Sequence, residues 1–143
     1  MNELPPLTRD QRKVDADHVK LLAVFHFIGA GLALLGLVLL LGHCALMHAV
    51  LTNAKLLEAP KQGPSPAELF AIFKWVYLVV GVWWMISLVL NLISGFCLSY
   101  RKGRTFSLIV AVINCLHIPL GIVLGVFTLV VLIRSSVREL YEA

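Results

Sequence analysis

Three stretches of this chain, residues 21–54, 75–100 and 105–133, contain no Asp, Glu, Lys or Arg. They run for 34, 26 and 29 residues. Within the first, LLAVFHFIGAGLALLGLVLLL occupies residues 21–41, and a helix of that length reaches about 32 Å, close to the hydrocarbon thickness of a bilayer. In hydrocarbon every backbone polar group has to be paired within its own segment, so such stretches must be helical. Hydrophobic residues make up 59% of the 143 and charged residues 14%. A soluble domain of this size has too little interior to hide that much apolar area. Soluble globular domains and disordered chains are thereby excluded.

The polar segments set the organisation. Residues 1–20 read as a cytoplasmic N-terminal tail, blocked from early helix by Pro5-Pro6, with a short interfacial helix from Asp15 to Lys20 leading into the membrane. Residues 21–133 form a single transmembrane domain with segments at about 21–50, 69–100, 105–118 and 120–133. Residues 52–68 are a non-cytoplasmic loop marked by Pro60, Gly63, Pro64 and Pro66, with Ser65 a candidate cap for the next helix. Residues 134–143 read as a C-terminal tail. The first apolar run is too long for a cleaved leader, and His43 is too large for the lipoprotein box that Leu41-Gly42-His43-Cys44 faintly suggests.

Orientation follows from the bases. Arg9, Arg12, Lys13 and Lys20 precede the first run, and Arg101, Lys102 and Arg104 form a dense turn after the second, against only Lys55 and Lys61 in the 52–68 loop. The N-terminus and the 101–104 turn therefore belong in the cytoplasm. The net charge of +4 has anionic lipid headgroups at the cytoplasmic face as its natural partner, and nucleic acid is not expected.

The third run is broken by Pro119. It is either one kinked spanning helix or a hairpin turning at residues 117–121. The hairpin returns Arg134 and Arg138 to the cytoplasm and is the preferred reading. The expected fold is an all-α membrane protein, a small helical bundle of two long transmembrane helices plus a helical hairpin. Three spanning helices with the last kinked are the alternative.

Polar residues inside apolar runs carry the site arguments. Ser87, Asn91 and Ser94 share a helix face, and Asn114 lies in the third run. Buried amides need partners, so Asn91 and Asn114 are expected to bond to each other or to backbone freed by Pro119. His26 and His117 lie in charge-free runs without an acidic residue, which points to structural histidines rather than a proton relay. These six are structural residues or, in the second reading, a polar path. Gly29, Gly31, Gly36, Gly121 and Gly125 are expected to let helices pack closely, and Trp83 and Trp84 to pack on a neighbouring helix. His43, Cys44 and His48 lack the further ligands a metal needs. Cys44, Cys97 and Cys115 share no CxxC spacing. No catalytic set, cofactor motif or metal motif is present, so enzyme activity is not expected and no cofactor is assigned.

The segment RKGRTFSLIVAVINCLHIPLGIVLGVFTLVVLI, residues 101–133, resembles the last part of small uncharacterised bacterial integral membrane proteins. The likeness centres on Arg104, Asn114, Pro119, Gly121, Gly125 and Phe127. His18, Leu21, Leu22, His26, Gly29 and Gly36 are similar to the opening of such proteins, although Ile122 stands where they often have Thr. The resemblance implies a bacterial inner-membrane protein and carries no activity. The expected role is a structural or interaction subunit, in a homo-oligomer or a larger membrane complex. The alternative is a component of an oligomeric transporter or channel.

Overall fold

The computed structural model describes residues 9–53, 65–117 and 119–142. Five helices occur among them: α1 (Arg9–Thr52), α2 (Pro66–Ser99), α3 (Arg104–Asn114), α4 (Leu120–Ile133) and α5 (Ser135–Glu142). No strand is found among the described residues. The protein is an all-α bundle, and α1 and α2 are long and apolar enough to cross a membrane. By the same length and composition measures, α4 with α5, bent by 79° at their junction, is a third candidate. Residues 1–8 of the tail, Pro60, Gly63 and Pro64 of the loop, and Ile118 in the turn lie outside the described residues.

The start of α2 is written in its first residues. The Ser65 hydroxyl accepts from the Glu68 backbone N–H at 3.3 Å, and the Ser65 N–H donates to the Glu68 carboxylate at 2.8 Å. This reciprocal pair satisfies two otherwise orphaned donors, and Pro66 follows at the first helical position, where its missing N–H costs nothing.

The chain gathers into two compact units, residues 1–30 with 89–143, and residues 31–88. In the first unit, Asp15, Val19, Leu22, Ala23, His26 and Ala30 form a buried stripe on α1 at helical spacing. Val19, Leu22 and Ala23 share a core with Leu98, Val131, Leu132 and Val137. From residue 9 onward the N-terminal tail is thus about the first three turns of α1, so the helix expected from Asp15 to Lys20 starts earlier and is continuous with the first apolar run. Asp15 and Val19 are 6% and 2% exposed, because their spacing puts them on the same stripe as Leu22.

α3 and α4 form an antiparallel hairpin. Gly121 lies against the Asn114 carbonyl and the His117 side chain, and Gly125 against the Ala111 carbonyl and Cys115. At the open end the Arg104 Nε donates to the Leu132 carbonyl at 2.8 Å. A cation there also suits the C-terminal end of α4. Rising numbers on α3 meet falling numbers on α4, which is the hairpin and not the kinked single helix. α3 stops at Asn114 rather than 118, since Pro119 has no N–H to continue the ladder and its ring would crowd the carbonyl four residues back, at Cys115, in a continuous helix. Four backbone donors of the described turn are paired: Cys115 N–H to Ala111 O, Leu116 N–H to Ile113 O, His117 N–H to Asn114 O and Ile122 N–H to His117 O. That pairing is what irregular backbone requires in an apolar medium. The arms of 11 and 14 residues reach about 16 and 21 Å, short of the ~30 Å a lone span needs.

Residues 134–143, read from the sequence as a tail, contain α5. Arg134 takes φ −58° and ψ 135°, which ends α4 and lets the chain turn. Val137, Leu140 and Tyr141 then fall on one face, and Val137 is fully buried in the core. Three charges hide this stripe in the sequence, but the spacing i, i+3, i+4 suffices for a short amphipathic helix.

The end of α2 holds an unusual residue. Lys102 N–H donates to Cys97 O at 2.9 Å and Arg101 N–H to Leu98 O at 3.2 Å. This is a Schellman closure, whose left-handed residue is ordinarily glycine. Here Arg101 occupies it with φ 52°. Replacing it with glycine removes a Cβ clash, so Arg101→Gly should raise stability by about 1 kcal/mol. Thermal melting in detergent checks this, and an unchanged or lower midpoint would refute the strain assignment.

In the second unit, α1 and α2 run antiparallel. The Trp84 ring covers Gly36, and Leu40 touches Gly81. A Cβ on Gly36 would sit 2.6 Å from that ring. Trp83 is 39% exposed. Gly31 is corrected as a packing residue, with nothing within 4 Å of a Cβ placed there. It lies two residues beyond Gly29, a rotation of about 200°, which takes it to the opposite side of the helix.

Candidate functional site

Four polar side chains from four helices meet in the first unit: His26 of α1, Asn91 of α2, Asn114 of α3 and Thr128 of α4. Their exposures are 0%, 5%, 4% and 0%. His26 belongs to the buried stripe of α1. Asn91 lies on the α2 face that also carries Ser87 and Ser94, one turn away on either side. Asn114 is the last residue of α3. Thr128 is one turn beyond Gly125, where the hairpin arms lie close. Gly29 gives Asn91 room, at ordinary contact distance.

The two amides form a reciprocal pair. Asn91 Nδ2 donates to Asn114 Oδ1 at 3.1 Å, and Asn114 Nδ2 donates to Asn91 Oδ1 at 2.8 Å. His26 Nδ1 lies 3.0 Å from Asn91 Oδ1. A carboxamide oxygen has no proton to give, so in this arrangement Nδ1 carries the hydrogen and donates it. His26 Nε2 then accepts from the Thr128 hydroxyl at 3.3 Å, in competition with the Leu124 carbonyl at 2.7 Å. Turning both amides over together keeps their pairing and reverses the ring. Asn91 then donates to Nδ1, Nε2–H donates to Thr128, and the Thr128 hydroxyl keeps its bond to Leu124. Both arrangements are neutral, and only the second gives each of these contacts its own proton.

The remaining polar candidates lie elsewhere. Ser94 and Ser107 are fully enclosed, and their hydroxyls have no partner among the described residues. Ser87 is buried on α2. His117 is outside the cluster, and its backbone bridges the turn to Ile122. In the second unit His43 Nδ1 pairs with the Tyr77 hydroxyl at 2.7 Å, and the His48 ring packs edge-on against Phe70 at 5.2 Å. Among the described residues no three His, Cys, Asp or Glu side chains are placed to hold a metal ion. All three cysteines are free.

Thr128 escapes a reading of the sequence. A lone Thr in an apolar helix bonds its own i−4 carbonyl, as it does here with Leu124, and nothing in the residue type announces a second partner. Arg104 likewise stands in the sequence as an orientation charge alone, yet its guanidinium closes the hairpin.

No protein-family model, curated protein or solved structure matches this chain. The cluster's geometry therefore carries the functional reading alone.

Proposed function

We propose that this protein is a structural or interaction subunit of a bacterial cytoplasmic membrane, with its N-terminus in the cytoplasm and no catalytic chemistry of its own. One observation supports this above others. Three of the six polar side chains that would supply a reaction or an ion path, His26, Asn91 and Asn114, are bonded to one another at 5% exposure or less. A buried network in this state specifies how four helices meet. In the second unit Leu39 and Leu41 of α1 and Ile72 and Val79 of α2 remain more than 60% exposed, available to lipid and to partner helices.

Purification from native membranes in a mild detergent tests the role. The chain is expected in an assembly heavier than its 15.8 kDa monomer, with itself or with other membrane proteins. A strict monomer that is recovered alone overturns the reading, as does ion or solute flux through liposomes containing only this chain.

Orientation has its own test. The hairpin brings α5 back to the side of the 101–104 turn, which the positive-inside rule assigns to the cytoplasm. A reporter fused after Ala143 should therefore read cytoplasmic. An external signal would refute this and make α4 with α5 an outward span.

A further inference from the structure

In the first unit, the start of α1, the turn after α2 and the end of α5 enclose an open cavity of about 700 Å3. Arg12 and Lys13 line it from α1, Tyr100, Arg101 and Lys102 from the turn, and Tyr141 from α5. Four cations thus face one concavity, and no described side chain lining it is acidic. Like charges gathered by a fold repel unless an anion joins them. Two of the four are guanidinium forks, which match phosphate oxygens two at a time.

Two further features point the same way. Arg101 holds the left-handed position where glycine would be easier on the backbone, so its side chain is retained at a conformational cost. The Tyr141 hydroxyl is shielded from water and has no partner among the described residues. Burial pushes its phenol up to about 12, against the opposing pull of the Arg104 and Arg101 charges. It is therefore a proton donor at neutral pH, and a phosphate oxygen would complete it.

We propose that this cavity binds a phosphate-bearing anion. Two sources share that chemistry: the headgroup of an anionic phospholipid and a soluble phosphate. Position favours the headgroup. Tyr100 ends the charge-free run of α2 and the bases follow at once, which is where a spanning helix leaves hydrocarbon for the headgroup layer. The inference rests on the membrane placement and not on the subunit role, since a chain recovered alone would bind the same ligand.

The test is thermal melting of the full chain in non-ionic detergent, titrated separately with short-chain phosphatidylglycerol, phosphatidylcholine, inorganic phosphate, and sodium chloride at matched ionic strength. Phosphatidylglycerol is expected to raise the midpoint saturably, by more than the salt control and more than phosphatidylcholine. A comparable rise with inorganic phosphate supports the site and assigns it to a soluble ligand. Lys102→Gln and Arg101→Gly should each weaken apparent affinity roughly tenfold, the loss of one charge-assisted contact. Arg101→Gly is the sharper variant because its ligand-free midpoint should rise, so a lost ligand response cannot come from a damaged fold. No response beyond the salt control, or a response that both variants keep, overturns the proposal.

Discussion

Gly125→Leu is expected to separate the α3–α4 hairpin and to cost about 3 kcal/mol or more, at the upper end of what overpacking does. A Cβ at this position meets the Ala111 carbonyl, the Cys115 backbone nitrogen and the Cys115 sulfur. Backbone atoms of a facing helix cannot rotate away as the end of a side chain can. The arms have to part, and parting them also loosens the Arg104 bond to Leu132 and the Thr128 contact with His26. Gly31→Leu is the matched control. Nothing lies within 4 Å of its Cβ position, so that change should stay within about 0.5 kcal/mol. Thermal or denaturant melting in detergent reads both. Equal midpoints for the two variants would remove close approach as the reason for Gly125.

Asn91→Leu is expected to be the most damaging change in the polar cluster, costing about 2–3 kcal/mol. Asn91 alone touches both His26 and Asn114, so its loss strands two buried partners at once. An orphaned buried polar group costs about 1–3 kcal/mol in a protein interior, while single hydrogen bonds in membrane proteins average nearer ~0.6 kcal/mol. The hydrogen bonds to His26 and Asn114 vanish together, which places the total between those bounds. Asn114→Leu should cost less, because His26 keeps Asn91. The double variant should fall short of the sum by about 1–2 kcal/mol, since each change has already removed the other's partner. Membrane insertion should be unaffected, because leucine only makes each segment more apolar. Strictly additive losses would show that the amides act independently.

The helices and the hairpin were legible because few physical facts decide them. A charge-free run of sufficient length has to be helical in an apolar medium, and Pro119 has to interrupt the ladder. Asn91 and Asn114 stood out because an amide in such a run needs a partner. The identity of that partner was less legible: it depends on which faces meet, and a linear pattern gives no interhelical register. Gly31 and Gly36 show the same limit. Both are glycines on one helix, yet one lies under the Trp84 ring and the other faces nothing. Only the neighbouring helix distinguishes them. α5 was hidden for a different reason. Its eight residues are mostly polar, and its short apolar stripe acquires meaning only where Val137 reaches the core.

That core has a consequence for how the nascent chain matures. Val19 and Val137 pack in one cluster, although 118 positions separate them along the chain. Pairings this distant form late, because the intervening loop has to be closed first. During translation at about 5–20 residues per second, Thr128 follows His26 by 102 positions, a wait of about 5–20 seconds before that contact can form. Until α5 has docked, Val19, Leu22 and Leu132 lack the cover that Val137 gives them.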